Sequence, residues 1–294
     1  MSEWFGELVE VRRIWWGSFS IVYECREKGT DKPVCLKIEN TTELVTSLSK
    51  HEYTVAKMFE GNPHIVQLYK YYEMPLYHGI SMEMLGRSLG FVRRIRANPP
   101  PLHLFLNIAY QCACCLVTVH SKGVVHSDVK PSNFVLRADT VVLIDFGLAG
   151  YSGESQDVHK FRMSCKRNHR YLSNACSETK NYTAHDDMVS LLYTLTDFYY
   201  HSLPWDGIFT REAIEQKKIE NPLETILPRE LLFMMDAIED EDTLLFRIEE
   251  EMRKYPEDRA SEIEYLEGPA DPGHPEKVTL TANETTHRTN QHSA

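Results

Sequence analysis

Apolar and polar residues alternate in three short runs near the N-terminus, Val9-Glu10-Val11, Ser20-Ile21-Val22-Tyr23 and Val34-Cys35-Leu36-Lys37-Ile38. A period of two sends successive side chains to opposite faces of a strand, and the turn-prone Gly29-Thr30-Asp31 separates the second run from the third. The pattern predicts an antiparallel hairpin sheet. From Leu44 to Phe59 the spacing lengthens to three and four, which predicts a helix with Glu52 in its middle. Ile65-Val66-Gln67-Leu68 and Gly79-Ile80-Ser81-Met82 predict two further strands, so that an α+β piece ends near Leu85-Gly86.

Helical spacing dominates from Ser88 onward, with apolar helices predicted over Leu102 to His120 and Met188 to Tyr200. A loop over Val124 to Phe134 and a strand over Val141 to Phe146 lie between them, and polar residues interrupt the apolar pattern there. Polar groups in such places usually carry function. After about Gly268 the chain reads Pro-Ala-Asp-Pro-Gly-His-Pro and then Thr, Asn and His, a composition without enough apolar surface to fold. Residues 1–267 are therefore expected to fold, in an N-terminal part of about 1–85 and a C-terminal part of about 86–267, with 268–294 a disordered tail.

The 294 residues are 42% hydrophobic and 26% charged, which suits a soluble protein with a sizeable core. A net charge of −11 argues against a broad nucleic-acid surface, because phosphate backbones need clustered Lys and Arg. No run is read as reaching the roughly 18 apolar residues of a membrane span, and Met1-Ser2-Glu3-Trp4-Phe5 does not resemble a secretory signal. A cytoplasmic or nuclear location is expected. The seven cysteines are scattered and read as reduced thiols, and a cluster of His159, Cys165, His169 and His185 fits no standard zinc spacing.

The most informative stretch is Val125-His126-Ser127-Asp128-Val129-Lys130-Pro131-Ser132-Asn133, with Asp145-Phe146-Gly147 downstream. Phosphoryl transfer needs a carboxylate to orient a substrate hydroxyl and accept its proton, a cation to neutralise the moving phosphoryl group, and oxygen ligands for Mg²⁺. Asp128, Lys130, and the pair Asn133 and Asp145 supply these in order. Upstream, Lys37 on a β-branched run and Glu52 in the predicted helix form a pair suited to holding the α and β phosphates of ATP.

These motifs resemble those of eukaryotic protein kinases, and several are similar to the casein kinase 1 group in particular. Met82-Glu83-Met84-Leu85-Gly86-Arg87-Ser88-Leu89 resembles that group's hinge, where a Leu-Gly-Pro-Ser-Leu run follows the gatekeeper. Lys130-Pro131-Ser132-Asn133-Phe134, Asn168-His169-Arg170-Tyr171, the spacing from Tyr171 to Asp186-Asp187, and Leu203-Pro204-Trp205 extend the likeness over roughly Val9 to Gly207. The resemblance implies a two-lobed α+β fold, with an antiparallel sheet and one main helix in the N-lobe and a mainly α C-lobe. ATP and Mg²⁺ would bind between the lobes. Met82 would be the gatekeeper, backbone groups at Glu83 and Leu85 would meet adenine, Cys35 and Val135 would be roof and floor, and Ile14 and Val22 would flank them. Asp187 would brace the catalytic loop. Arg170 would bind an anion beside the substrate, implying acidic or phosphate-primed protein targets, and Lys160, Arg162, Lys166 and Arg167 add to that basic run. A monomer is expected.

The chain also departs from the pattern. Ile14 to Tyr23 aligns with a glycine-rich loop, yet Gly17 alone survives, with Trp15 and Ser20 at the other glycine positions. A stiffer loop and weaker ATP binding are expected, since glycine allows close backbone approach to phosphate. Ser127 replaces the Arg before the catalytic Asp, Asn168 replaces a Thr whose support of Asp128 and Lys130 its amide could still give, and Ala184-His185 replaces a basic pair. The leading reading is an ATP-dependent Ser/Thr protein kinase. The alternative is a pseudokinase or weakly active kinase serving as a binding scaffold, and a metabolite kinase of similar fold is disfavoured by Arg170-Tyr171 and Leu203-Pro204-Trp205.

Overall fold

The computed structural model describes residues 3–16, 20–40, 48–151, 168–174, 182–258, 262 and 265–266. The strands β1 (Glu3–Trp4), β2 (Leu8–Trp16), β3 (Ser20–Glu27), β4 (Pro33–Asn40), β5 (Leu68–Glu73) and β6 (Tyr77–Glu83) form one antiparallel sheet in the order β1-β2-β3-β4-β6-β5. Its alternation has the physical basis expected: Leu8, Cys25, Val34, Leu36, Ile38 and Tyr72 cluster together in a small core. The turn between β3 and β4 uses Gly29 at φ 87° and Asp31 at φ 56°, left-handed positions that glycine and aspartate tolerate. Helix α1 (Leu48–Lys57) packs on β5 and β6.

The strand expected at Ile65 to Leu68 begins only at Leu68. The Gln67 side chain donates to the carbonyls of Asn62 and Ile65 and accepts from Gly61 N–H, binding backbone groups into a loop. Val66 N–H donates to the Leu143 carbonyl at 3.1 Å, and Ile65 bridges Leu143. This segment thus joins the sheet to the helical half.

That half contains α2 (Leu89–Ile95), α3 (Leu102–His120), the short strands β7 (Val124–Val125), β8 (Phe134–Arg137), β9 (Thr140–Leu143) and β10 (Gly150–Tyr151), then α4 (Ala184–Tyr200), α5 (Arg211–Glu220), α6 (Leu223–Ile226) and α7 (Glu241–Met252). Helix α3 has the bounds its apolar spacing predicts. By length and composition it is apolar enough to cross a bilayer, which corrects the expectation that no run reaches that size. Here it is a core helix, packed on α4, α7 and β9 with Phe105, Leu106, Ile108, Cys112 and Leu116 buried. Each such large apolar side chain contributes about 1.5–3 kcal/mol by leaving water. Helix α4 starts before the expected Met188 because Thr183 and Asp186 form a capping box around its first turn. The strand expected over Val141 to Phe146 stops at Leu143, since Asp145 takes a left-handed φ of 67°.

Candidate active site

Lys37 lies inside β4, opposite Val22 on β3 and Ile80 on β6. From there its ammonium reaches Glu52 Oε2 on α1 at 2.6 Å and Asp145 Oδ1 at 2.8 Å. Burial raises the pKa of Glu52 and the Lys37 charge only partly offsets it, leaving the carboxyl at about 7. Burial also disfavours the Asp145 carboxylate, but Lys37 and Lys130 outweigh it and hold Asp145 well below the usual carboxylate range. Lys37 is pulled down by burial and raised overall by its two carboxylates. The three groups form one ionic unit spanning β4, α1 and the segment after β9.

The segment after Asp145 is anchored by a buried aromatic contact. Phe146 sits 6.0 Å from the Phe59 ring and 5.1 Å edge-on from His126, and the His51 ring nitrogen Nε2 meets the Ala149 carbonyl at 2.7 Å. His126 is fully buried; its Nδ1 accepts from Asp128 N–H at 3.3 Å, and its Nε2 donates to the Ile144 carbonyl at 3.0 Å. These bonds join the loop carrying Asp128 to the strand end carrying Asp145.

Asp128 Oδ2 accepts from Lys130 Nζ at 2.6 Å and from Asn133 Nδ2 at 3.1 Å, and the same Asn133 amide donates to the Asp128 carbonyl at 2.9 Å. Burial lowers Lys130, but Asp128 and Asp145 raise it above its ordinary value. The loop holds a left-handed turn at Ser127, φ 67°, a conformation costing roughly 1–2 kcal/mol for a residue with a Cβ. Asp187, fully buried in the first turn of α4, offsets that cost by accepting from His126 N–H at 2.6 Å and Ser127 N–H at 2.9 Å. A small hollow lined by Ser127, Asp128, Val129, Asn168, Leu172, Tyr182 and Ser190 opens beside Asp128.

At the hinge, Met82 is buried and pairs with Cys35, while Glu83 pairs with Val34. Burial pushes the Cys35 thiol up to about 12. The Glu83 N–H is spent on the Gln67 carbonyl at 3.0 Å and its carboxylate on Arg137. Leu85 N–H and carbonyl make no backbone hydrogen bond among the described residues. Val135 is buried and bridges Ser88, Val22 faces Lys37 across the sheet, and Ile14 is the extra residue where the β2 to β3 register slips. Gly17, Lys160, Arg162, Lys166 and Arg167 lie outside the described residues.

Arg170 is not presented as an open cation. Its Nη2 donates to Asp197 Oδ1 at 2.6 Å and Asp206 Oδ2 at 2.9 Å, so two internal carboxylates occupy the guanidinium that was expected to receive a substrate anion. Asn168 makes no bond to Asp128 or Lys130; its Oδ1 accepts from Arg170 N–H at 3.2 Å instead. Three participants escaped the sequence reading. His120 bonds Asp187 Oδ2 and Glu241 Oε1, Asp206 neutralises Arg170, and buried Lys218 donates to the carbonyls of His169 and Leu172 at 2.7 and 2.5 Å. Burial pulls Lys218 down to about 7.

The site's oxygens suit a hard divalent ion. Lys37 takes one oxygen of Asp145, and Asn133 spends its NH₂ on Asp128, which leaves Asp145 Oδ2 and Asn133 Oδ1 without a protein partner among the described residues. The family model described as protein kinase domain matches residues 8–267. Casein kinase I homolog 3 from Schizosaccharomyces pombe is 27% identical over 247 residues, covering 76% of this chain and 55% of that protein. The chain therefore spans about half the length of that relative. A match over nearly the whole described fold, on a sheet and helical half joined through Lys37, Glu52 and Asp145, makes the chain a divergent member of the protein kinase family whose likeness runs to the casein kinase 1 group.

Proposed function

We propose that the protein transfers the γ-phosphoryl group of ATP to serine or threonine hydroxyls of proteins. The observation that carries this reading is the intact bridge of Lys37 to both Glu52 and Asp145, with Asp128 held by Lys130 and Asn133. Lys37 orients the α and β phosphates. Met82, Cys35, Val135, Ile14 and Val22 would enclose the base, whose polar edge would meet the backbone groups of Leu85, unpaired among the described residues, and the carbonyl of Glu83. Asn133 Oδ1 and Asp145 Oδ2 would hold Mg²⁺, which would neutralise charge on the phosphate oxygens. Asp128 keeps Oδ1 for the incoming hydroxyl, orients it, and accepts its proton as the oxygen bonds to phosphorus and the bond to ADP breaks. Lys130 offsets the charge gathering on the transferred group.

The neutralised Arg170 gives no support to acidic or phosphate-primed recognition at that residue. A second reading, a binding scaffold with weak transfer, is favoured by Trp15 and Ser20 at loop glycine positions and by Ser127. Incubation with labelled ATP, Mg²⁺ and casein, beside an Asp145→Asn control, decides between them. Label transfer that the control lacks supports the kinase; ATP binding without transfer supports the scaffold.

A further inference from the structure

Ile214 and Lys218, four residues apart, are the buried positions of α5. Lys218 keeps only 4% of its surface exposed, and its ammonium has no carboxylate partner among the described residues. Lysine is almost never buried without an opposite charge. Glu215, one turn earlier on the same helix, is paired with Arg211 at 2.6 Å instead. Around the ammonium stand two aromatic rings, Tyr193 of α4 at 4.9 Å and Trp205 at 5.2 Å, and the backbone carbonyls of His169 and Leu172. An apolar residue would fill this space without the cost of taking a charge out of water. What the lysine adds is a donor for those two carbonyls.

The carbonyls belong to a turn that is held from outside. Within it, Tyr171 N–H donates to the Asn168 carbonyl at 3.3 Å. Lys218 then takes the carbonyls of His169 and Leu172, and Trp205 Nε1 takes the Arg170 carbonyl between them at 2.8 Å. Two residues on, Asn174 Nδ2 donates to the Glu215 carbonyl at 3.1 Å, so α5 grips the segment twice. Pinning two carbonyls to a single nitrogen fixes the curvature of the chain between them. Asn168 and Leu172, at the two ends of that curve, line the hollow beside Asp128.

We propose that Lys218 is a positioning residue for the protein substrate: by holding the His169 and Leu172 carbonyls, it sets the wall of the hollow that receives the acceptor side chain and its neighbours. The role rests on the reading of the chain as a protein kinase. Lys37, Glu52 and Asp145 are held by one another on other elements, so the nucleotide side does not depend on α5. Loss of Lys218 therefore acts on substrate binding and leaves ATP binding intact.

The test uses the full chain beside Lys218→Met, which keeps the length and removes the donor, and Lys218→Arg, which keeps donors that can fork to two oxygens. Loss of charge-assisted bonds predicts that Lys218→Met raises the KM for casein by about tenfold, with kcat and the KM for ATP changed by less than about twofold. Lys218→Arg is expected to keep the casein KM close to that of the unaltered chain. Amide exchange read by mass spectrometry is expected to quicken over residues 168–174 in Lys218→Met. An unchanged casein KM in that variant overturns the proposal, as does a fall in kcat alone, which marks a loss of folded enzyme. Unchanged exchange over 168–174 also overturns it. Should Lys218→Met fail to fold, Asn174→Ala removes only the second grip of α5; a smaller rise in casein KM supports the proposal and no rise overturns it. Absence of transfer by the unaltered chain removes the kinase reading, and anisotropy of fluorescein-labelled casein then decides the role of Lys218. Weaker binding by Lys218→Met keeps Lys218 as the residue that shapes the protein-binding wall, and equal binding removes it.

Discussion

His120 Nε2 lies 3.0 Å from Asp187 Oδ2, joining the last turn of α3 to the first turn of α4. The other ring nitrogen, Nδ1, lies 2.5 Å from Glu241 Oε1 at the start of α7. Carboxylates on both nitrogens require both to donate, which makes the ring an imidazolium. Asp187 in turn receives the His126 and Ser127 amides, so a line of charge runs from α7 to the loop that carries Asp128.

Burial lowers the pKa of His120, but the bonds and charges of Asp187 and Glu241 outweigh it and raise the group to about 9. A folded-state pKa above the unfolded value gives stability that is fully present below about pH 6.5 and lost as pH rises through about 9. Urea unfolding of the protein and of His120→Asn is therefore expected to differ by on the order of 3 kcal/mol near pH 6, with the gap shrinking by about pH 9.5. A gap that is independent of pH would remove the imidazolium assignment.

Asp128, Asn133 and Asp145 were legible as candidates because they are polar groups where the apolar pattern would otherwise continue and fall in two short motifs, and Lys37 because it stands on a β-branched run upstream of them. His120 and Glu241 interrupt nothing. His120 closes an apolar helix, Glu241 sits in a charged stretch, and only the packing of α7 on α3 brings them together. Arg170 was visible as a cation, but its partners Asp197 and Asp206 are distant in sequence and look like ordinary surface acids until the fold places them. The strands were placed by alternation, while their ends were not, because backbone geometry at Asp145 and side-chain bonds from Gln67 decide them.

The Lys37, Glu52 and Asp145 unit predicts strong non-additivity. Lys37→Met leaves two carboxylates facing each other without the cation that bridges them, and breaking a buried ion pair from one side costs about 3–5 kcal/mol. Lys37→Met combined with Glu52→Gln is expected to be more stable in chemical denaturation than Lys37→Met alone. For phosphate transfer, Lys37→Met, Asp128→Asn and Asp145→Asn are each expected to remove most activity, and pairs of these changes to cost little more than one. Additive, mild losses would count against a shared role.

Asp197 and Asp206 both hold Arg170, yet their burial sets them apart. Asp197 is fully buried and also binds Arg93 and the Tyr171 hydroxyl, so Asp197→Asn is expected to cost about 3–5 kcal/mol in unfolding free energy. Asp206 keeps a side-chain exposure of 34%, and Asp206→Asn is expected to cost no more than about 1 kcal/mol. Because that change frees one edge of the Arg170 guanidinium, it is also expected to improve binding of phosphoserine peptides measured by anisotropy. Equal destabilisation by the two variants would contradict this division.

Trp15 and Ser20 stand at glycine positions of a nucleotide loop, but the structure places both in strands. Trp15 pairs with Val22 in the β2 to β3 ladder, which runs on to Trp16 and Ile21, and Ser20 is buried and pairs with Glu39 of β4. Extended positions need no positive φ, so glycine there brings no useful freedom and costs roughly 0.5–1 kcal/mol each through lost packing and chain entropy. The Trp15→Gly and Ser20→Gly double variant is therefore expected to lose about 1–2 kcal/mol of stability and to bind ATP with Mg²⁺ more weakly in calorimetric titration. The opposite outcome, tighter binding by the double variant, would mean that the two side chains hold the backbone away from the phosphates and that the sheet extension opposes nucleotide binding. A KM effect with little change in kcat is expected in either direction, because Asp128 and Asp145 are positioned by Asp187, His126 and Lys37 and not by this hairpin.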